Sequence, residues 1–333
     1  MKQYLISPDV PSFKANLHSH STFSDGKITP EELKRLYKEQ GYSVFAYSDH
    51  NVLIDHSELN DDSFLTLTST EIDVSNKISE NPAKNPCFHL NFFAPKPDAV
   101  AMPCFNPRYI RDNHADLRDK QAYIGEPTYE KHYDTIHEII TAYKSLGFLC
   151  MLNHPTWSEQ TYEDYRELEG VDMLELHNYG TSMIGLFEYN THVFDRLLTA
   201  GKTLYGTATD DNHSTRDMFG GFVMISAPSL TYSDIFEALK NGSFYASQAP
   251  LIHEMYLEDG LLHVTTSPAK QIALTCCCRK ALVVNAEEGQ TVTEAVFDTN
   301  VMYPPFVRLT VTDEHGKRAW SQPIYGDFNN KYN

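Results

Sequence analysis

The sequence contains no apolar run approaching the roughly 20 residues that a membrane-spanning helix needs, so no membrane partner is expected. It has no Cys-x-x-Cys pair. Its six cysteines include three in a row, Cys276, Cys277 and Cys278. That arrangement is poor for a disulfide framework and suits buried or incidental thiols. Neither a Gly-x-Gly-x-x-Gly fingerprint nor a P-loop occurs, which argues against a nucleotide-binding fold. There is no internal repeat and no low-complexity segment. Basic residues are scarce: 27 Lys and Arg face 45 Asp and Glu, a net charge of −18. This balance argues against a stable nucleic-acid complex, because phosphate backbones are held by basic surfaces. It also repels anionic substrates at long range, unless bound cations reverse the field locally. The opening residues, Met1 to Asp9, break too soon for a secretory signal. A cytoplasmic location is the expectation.

What is present is a chain of 333 residues, 41% hydrophobic. That is long enough for one large barrel, or a barrel with a small companion domain. The chain is organised around the stretch 16–26. His18 and His20 alternate around Ser19. Residues two apart on a β-strand point to the same side, so two imidazoles face one point in space. Asp25 follows in Ser24-Asp25-Gly26, a turn that ends the strand. Imidazole nitrogen with carboxylate oxygen suits Zn, Mn or Fe. Taken alone, His-x-His is equally a polar patch on a strand.

The rest of the chain repeats the theme. Thr29, Pro30, Glu31 and Glu32 form a helix start: N-cap, proline at the first position, acids in the first turn. Leu33, Leu36 and Tyr37 mark its buried face, and Gly41 stops it. A strand over 42–50 ends in His50. A strand over 64–70 delivers Glu71. A third, 87–93, carries His89. Residues 95–128 are less regular and gather Arg108, Arg111, Arg118 and Lys120 near Asn113 and His114. A helix over 129–146 precedes a strand, 148–154, that ends in His154. The strand 171–178 ends in His177 and Asn178. A helix around Phe187 to Ala200 leads to a strand ending in Asp210, Asp211, Asn212 and His213. One more helix spans 230–242. Strands alternate with helices and polar residues gather where strands end. That pattern describes an α/β barrel with its site at the C-terminal face of the strands. Beyond Pro250, short alternating stretches with turn signals read as a small antiparallel β domain, 251–333.

The constellation comprises His18, His20, Asp25, His50, Glu71, His89, His154, Asp211 and His213. Its words are Leu17-His-Ser-His20 with Ser24-Asp-Gly26, Ser48-Asp-His-Asn51, Thr70-Glu-Ile72, Asn153-His-Pro155 and Asp211-Asn-His213. On these the sequence resembles the PHP family, named for polymerase and histidinol phosphatase, over roughly residues 10–250. Two positions depart from the commoner pattern: Asp25 stands where some members have histidine, and Ser48 where threonine is commoner. The tail resembles the β module that some single-chain members carry. The resemblance implies a distorted (β/α)7 TIM-like barrel over 1–250 and two or three divalent metal ions. By position His18, His20, Glu71 and Asp211 take the first ion. Glu71 bridges to a second, held by His89 and His154. Asp25, His50 and His213 take the third. Asp25, Glu71 and Asp211 are thereby the catalytic carboxylates.

Three function classes follow. The favoured one is a metal-dependent phosphoesterase acting on a small phosphorylated metabolite or nucleotide, with a metal-activated hydroxide as nucleophile. The alternative is a metallohydrolase of a carbamate, ester or amide on the same cluster. A binding protein with structural metal is disfavoured, since structural sites are closed and four-coordinate. Arginines gripping phosphate, or an apolar pocket, would separate the first two. The basic density of 95–128 favours phosphate. That segment is expected to form a lid, with Arg108 and Arg111 as substrate-binding residues. Arg216 and Asn178 are the further substrate-binding candidates. For Arg216 an exposed loop position fits equally, and His177 competes with Asn178. Asp210 is read as packing behind the ligands, with a proton-transfer role as the alternative. His56, His132, His137, His192, His253, His263 and His315 are read as surface or hydrogen-bonded side chains.

Overall fold

A computed structural model describes residues 2–75, 85, 87–132, 135–186, 190–277 and 279–326. The helix Pro30–Glu39 forms where the capping signals place it. Thr29 Oγ1 accepts the Glu32 N–H at 3.4 Å, and Leu33 and Tyr37 are buried. Other elements start later than expected. The helix expected over 129–146 is observed as Ile136–Ser145. The one expected from Phe187 is observed as Thr191–Thr199, and Phe187 lies outside the described residues, as does Cys278.

One large sheet runs Tyr205–Thr209, Met173–Asn178, Leu149–Leu152, Cys87–Phe93, Leu65–Ser75, Val44–Tyr47, Ser12–Asn16, Phe222–Ser226, Phe244–Ser247. The pairings among Ser12–Asn16, Val44–Tyr47 and Leu65–Ser75 are parallel, as are those among Leu149–Leu152, Met173–Asn178 and Tyr205–Thr209. Cys87–Phe93 runs antiparallel to both neighbours. The physical reason is the link 76–86, which is too short for the crossover that a parallel pair requires. No closed barrel forms among the described residues, which departs from the expected TIM-like closure. Tyr205–Thr209 lies beside Phe222–Ser226 and Phe244–Ser247 without ladder pairing. Its free edge is met by a side chain instead: Gln322 donates to Gly206 O at 2.9 Å and accepts the Gly206 N–H at 2.7 Å. An exposed edge otherwise leaves backbone groups unpaired.

The sheet does not stop at residue 250. Phe244–Ser247 pairs with Arg318–Trp320, and the path continues through Phe306–Thr312, Gln271–Cys276 and Ala281–Asn285. A separate four-stranded sheet holds Gln3–Ile6, Ile252–Glu258, Leu261–Ala269 and Val292–Asp298. Leu262, Val264, Ile272, Leu274, Leu309 and Val311 belong to one buried apolar cluster shared by the two sheets. Gln3–Ile6 therefore pairs with the C-terminal strands, although sequence order puts it before the expected boundary. No helix among the described residues is long and apolar enough to cross a membrane.

A buried arginine ties the C-terminal strands to a helix of the first part. Arg308 Nε and Nη2 donate to Asp195 Oδ1 and Oδ2 at 2.6 and 2.7 Å. The arginine side chain is 7% exposed and the aspartate 38%. Removing the acid strands a nearly buried cation. Asp195→Ala should lower unfolding free energy by about 1–3 kcal/mol, a range reduced for the half-open aspartate. The midpoint of urea unfolding measures it, and an unchanged midpoint would remove this tie from the account.

Candidate metal centre

His18 and His20 follow directly on the strand Ser12–Asn16, and the alternation holds. Ser19 points the other way, its Oγ donating to Ala46 O at 2.6 Å and its N–H donating to Ser48 Oγ at 3.0 Å. The turn bearing Asp25 is clamped by Asp49. That carboxylate accepts Ser21 N–H, Ser21 Oγ and Ser24 Oγ, each at 2.7 Å. Gly26 is required where the turn folds back: a Cβ there would lie 2.2 Å from His20 O. Two further site residues adopt left-handed backbone without being glycine, His154 (φ 26°) and Asp211 (φ 51°). Such conformations cost of order 1–3 kcal/mol and persist where the surroundings impose them. Here Glu175 Oε2 takes the His154 N–H at 2.7 Å, and His18 O takes the Asp211 N–H at 3.0 Å.

These backbone fixtures gather six imidazoles and three carboxylates. The groups with metal-ligand proximity among the described residues are His20, Asp25, His50 and His213; His18, Glu71 and His154; His18, His20 and Asp211; and His50, Glu71 and His89. All nine ligand candidates fall in these sets. The partition differs from the one by position, since His50 reaches Glu71 as well as Asp25. Glu71 Oε2 lies 3.4 Å from His18 Nε2, 3.2 Å from His20 Nε2 and 3.3 Å from His50 Nδ1. Its Oε1 lies 3.0 Å from His89 Nδ1 and 3.4 Å from His154 Nε2. Asp211 Oδ1 is 3.2 Å from His18 Nε2 and 3.1 Å from His20 Nε2. Asp25 Oδ2 is 3.5 Å from His213 Nε2.

Electrostatics agree with the geometry. Burial lowers the proton affinity of His20, but Asp211 and Glu71 outweigh it and lift the imidazole to about 10. His50 goes the other way, pushed down to about 3 by burial against the pull of Glu71. Burial raises Glu71, Asp25 and Asp211, yet the surrounding histidines hold all three below the usual carboxylate range. Acids and imidazoles thus shift each other's proton affinities in opposite directions. His50 Nδ1 and Asp211 Oδ1 are buried and have no hydrogen-bond partner. Buried polar atoms are nearly always paired. Convergent lone pairs of nitrogen and oxygen donors fit divalent ions of the Mn, Fe or Zn type.

A cavity of about 430 Å³ opens over this floor. The basic segment contributes less to it than its composition promises. Of the arginines, only Arg111 lines the cavity, with Nη2 donating to Asp25 Oδ2 at 2.8 Å. Arg108 is exposed and pairs with Glu130, Arg118 pairs with Asp112 at 2.5 Å, and Lys120 pairs with Asp116 at 2.8 Å. Local carboxylates, not the site, absorb those charges. Arg216 is exposed and does not line the cavity. Asn178 is buried beneath the ligands: it donates to Glu175 Oε2 at 3.0 Å and Asp211 Oδ2 at 3.1 Å, and its Oδ1 caps Thr181 N–H at 2.8 Å. That occupies it as a brace. His177 is buried against Gln248, 3.2 Å from its Nε2. Asp210 also faces away from the cavity. It accepts from Tyr37 Oη, Phe219 N–H, Gly220 N–H and Gly221 N–H at 2.7–2.9 Å, and burial pushes its carboxyl up to about 6 against those bonds. His56, read from sequence as exposed or hydrogen-bonded, is buried beside Phe23 and Tyr47, with no partner for Nε2.

Sequence reading did not single out Glu175 or Trp157, and it gave Asn153 no role beyond its place in the Asn153-His-Pro155 word. Glu175 is fully buried, 2.7 Å from His18 Nδ1, and also takes Thr209 Oγ1 at 2.6 Å. Its signal was present: an acid in the apolar run of a strand has no reason to be there except a partner. Asn153 donates to Glu71 Oε1 at 2.7 Å. Trp157 meets the rings of His89 and His154 at 5.3 and 4.9 Å.

No family model and no curated protein matches the sequence. Among solved structures, the chain is similar to a two-domain protein from Bacteroides vulgatus containing a predicted PHP-like metal-dependent phosphoesterase. Identity is 14%, the TM-score is 0.46, and 96% of each chain is covered. It is also similar to a lesion-specific endonuclease from Pyrococcus furiosus, at 16% identity and a TM-score of 0.41, over 69% of this chain and 56% of that one. A third is an amidohydrolase from Chromobacterium violaceum with bound sulfate and no metal, at 18% identity and a TM-score of 0.36, over 60% and 88%. At this distance the chemistry has to be read from the side chains of this chain.

Glu175 orients His18 through its far nitrogen, the arrangement that fixes the tautomer of a ligating histidine. Glu175→Gln should weaken manganese or zinc binding by about 10–100-fold, measured by competition with a chelator. Unchanged affinity in a folded variant would reduce Glu175 to packing.

Proposed function

We propose that the chain is a PHP-type metal-dependent hydrolase that cleaves phosphoesters of small molecules. The observation that carries the reading is the convergence of six imidazoles and three carboxylates on the floor of one cavity, with a single arginine on its rim. His18, His20, Glu71 and Asp211 would hold one divalent ion, Glu71 with His89 and His154 a second, and Asp25, His50 and His213 a third. Ions there supply Lewis acidity toward a phosphoryl oxygen and a water acidified toward neutrality. Arg111 engages Asp25 through Nη2 alone among the described residues, so its other N–H groups can meet a phosphate oxygen. Asp49 and Asn178 keep the Asp25 turn and Asp211 in place. Trp157 packs edge-on against His89 and His154.

The same proposal takes the curled sheet as a distorted (β/α)7 barrel opened at Tyr205–Thr209. It takes residues 251–333, joined by Gln3–Ile6, as an accessory β domain. A cytoplasmic setting belongs to it as well, supported by free thiols at Cys87, Cys104 and Cys150. A small molecule is preferred to nucleic acid because the net charge is −18 and the cavity, at about 430 Å³, is of small-molecule size. A carbon-centred ester, carbamate or amide is the second reading, favoured by the apolar side chains Trp157 and Ile184 in the cavity wall.

Elemental analysis after growth with Mn, Fe and Zn should find at least two equivalents per chain, and Glu71→Gln should lose the most metal. Reconstituted protein should hydrolyse members of a panel of phosphomonoesters and phosphodiesters, and chelation should abolish the activity. Less than one equivalent of metal, or hydrolysis confined to carbamates and esters, would overturn the phosphoester reading. Arg111→Ala should lower kcat/KM for the best phosphate ester by about tenfold or more, the scale of a lost charged hydrogen bond. Arg108→Ala, on an exposed ion pair, should stay within about twofold. Equal effects from the two would return the whole segment to the status of a lid.

A further inference from the structure

The cavity has two characters. Its floor and one side are charged, but Trp157 and Ile184 are large apolar side chains facing the same space. Trp157 is 40% exposed and Ile184 67%. Large apolar groups left open inside a concave site mark a surface that a ligand covers. The volume points the same way. About 430 Å³ lies in the range of sites for drug-sized ligands and far exceeds what a phosphate group fills.

The backbone that carries both side chains is tied to the ligand residues. Trp157 sits three residues after His154, in a turn closed by Ser158 N–H to His154 O and Gln160 N–H to Pro155 O, both at 3.0 Å. Its contacts with His89 and His154 are edge-on, at 70° and 78°, so neither imidazole stacks on the indole. Ile184 follows the short helix Tyr179–Met183, whose first turn is pinned by Asn178, itself bonded to Asp211. Segments tied in this way need little further backbone ordering when a ring is laid on them.

We propose that Trp157 and Ile184 form an apolar subsite that takes a planar aromatic group of the substrate, whose anionic end lies over the histidine–carboxylate floor. The substrate class is then an aromatic phosphoester rather than a small polyol phosphate. Offset or edge-on contact with the indole, together with burial of the isoleucine, supplies the preference. The anionic half of this inference rests on the phosphoester reading, whereas the aromatic half rests on the wall alone.

Calorimetric titration of the manganese-loaded full chain tests it with three probes: methylphosphonate, benzylphosphonate and phenylacetate. Wild type should bind benzylphosphonate at least about tenfold more tightly than methylphosphonate. Trp157→Ala should bring that ratio close to one. Ile184→Ser, on an exposed side chain that is no ligand candidate, should lower it about threefold. A ratio near one in wild type, or a ratio that survives Trp157→Ala, would overturn the subsite. So would a loss in Trp157→Ala that comes with released manganese and has no counterpart in Ile184→Ser, since the indole would then only pack the imidazoles. If neither phosphonate binds but phenylacetate does, and Trp157→Ala weakens it, the phosphoester reading fails and the subsite stands. If phenylacetate is indifferent as well, both fall.

Discussion

Glu71 is a carboxylate at 1% exposure with five imidazole nitrogens within 3.4 Å of its oxygens. A charge so placed is prohibitive unless neighbours of opposite sign or hydrogen-bond donors surround it. The five histidines come from four separate segments, so satisfying one carboxylate fixes how those segments meet. The Glu71 backbone reinforces the demand. Its N–H reaches Ser48 O at 3.1 Å and its C=O takes the Asn51 N–H at 3.0 Å, which seats His50 beside it. Position 71 is thus both a rung of the sheet and the centre of the charge cluster. A sheet slipped by one residue would turn Glu71 to the opposite face and leave five histidines without their acid.

Much of the candidate site was legible because it is written in local pattern. His-x-His needs only the two-residue period of a strand, and His154 and the Asp211–His213 pair stand where apolar runs end. Glu175 was hidden for the opposite reason. It sits inside a run of apolar residues, and its partner His18 is 157 positions away, a distance no periodicity conveys. The arginine-rich segment misled by composition. Density of charge says nothing about which carboxylates lie nearer, and Glu130, Asp112 and Asp116 take the charges of Arg108, Arg118 and Lys120 before any ligand can. The antiparallel course of Cys87–Phe93 and the pairing of Gln3–Ile6 with Ile252–Glu258 are long-range choices set by link length and by which edges remain open. The start expected at 129 came too early: Lys131 lies buried with its Nζ 2.9 Å from Asp73, ahead of the helix Ile136–Ser145.

Behind the ligands stands a second set of buried acids, each answered mostly by neutral donors. Asp49 faces serine hydroxyls and a backbone N–H, and Asp210 faces a tyrosine and three backbone N–H groups. Glu175 stands between the sets, taking His18 on one oxygen and the His154 N–H and Asn178 on the other. None of these bonds requires a cation. The turn of Asp25 and the left-handed backbones at His154 and Asp211 are therefore held by the protein itself, and an incoming ion meets side chains already aimed. That division of labour accounts for the buried Asp211 Oδ1 and His50 Nδ1 making ion-pair contacts without a hydrogen bond, while the acids behind them are fully hydrogen-bonded. It also explains why the apolar wall can sit so near the charges. Trp157 and Ile184 hang from segments tied by Glu175 and Asn178, so the backbone that carries them is set by the scaffold and not by whatever occupies the floor.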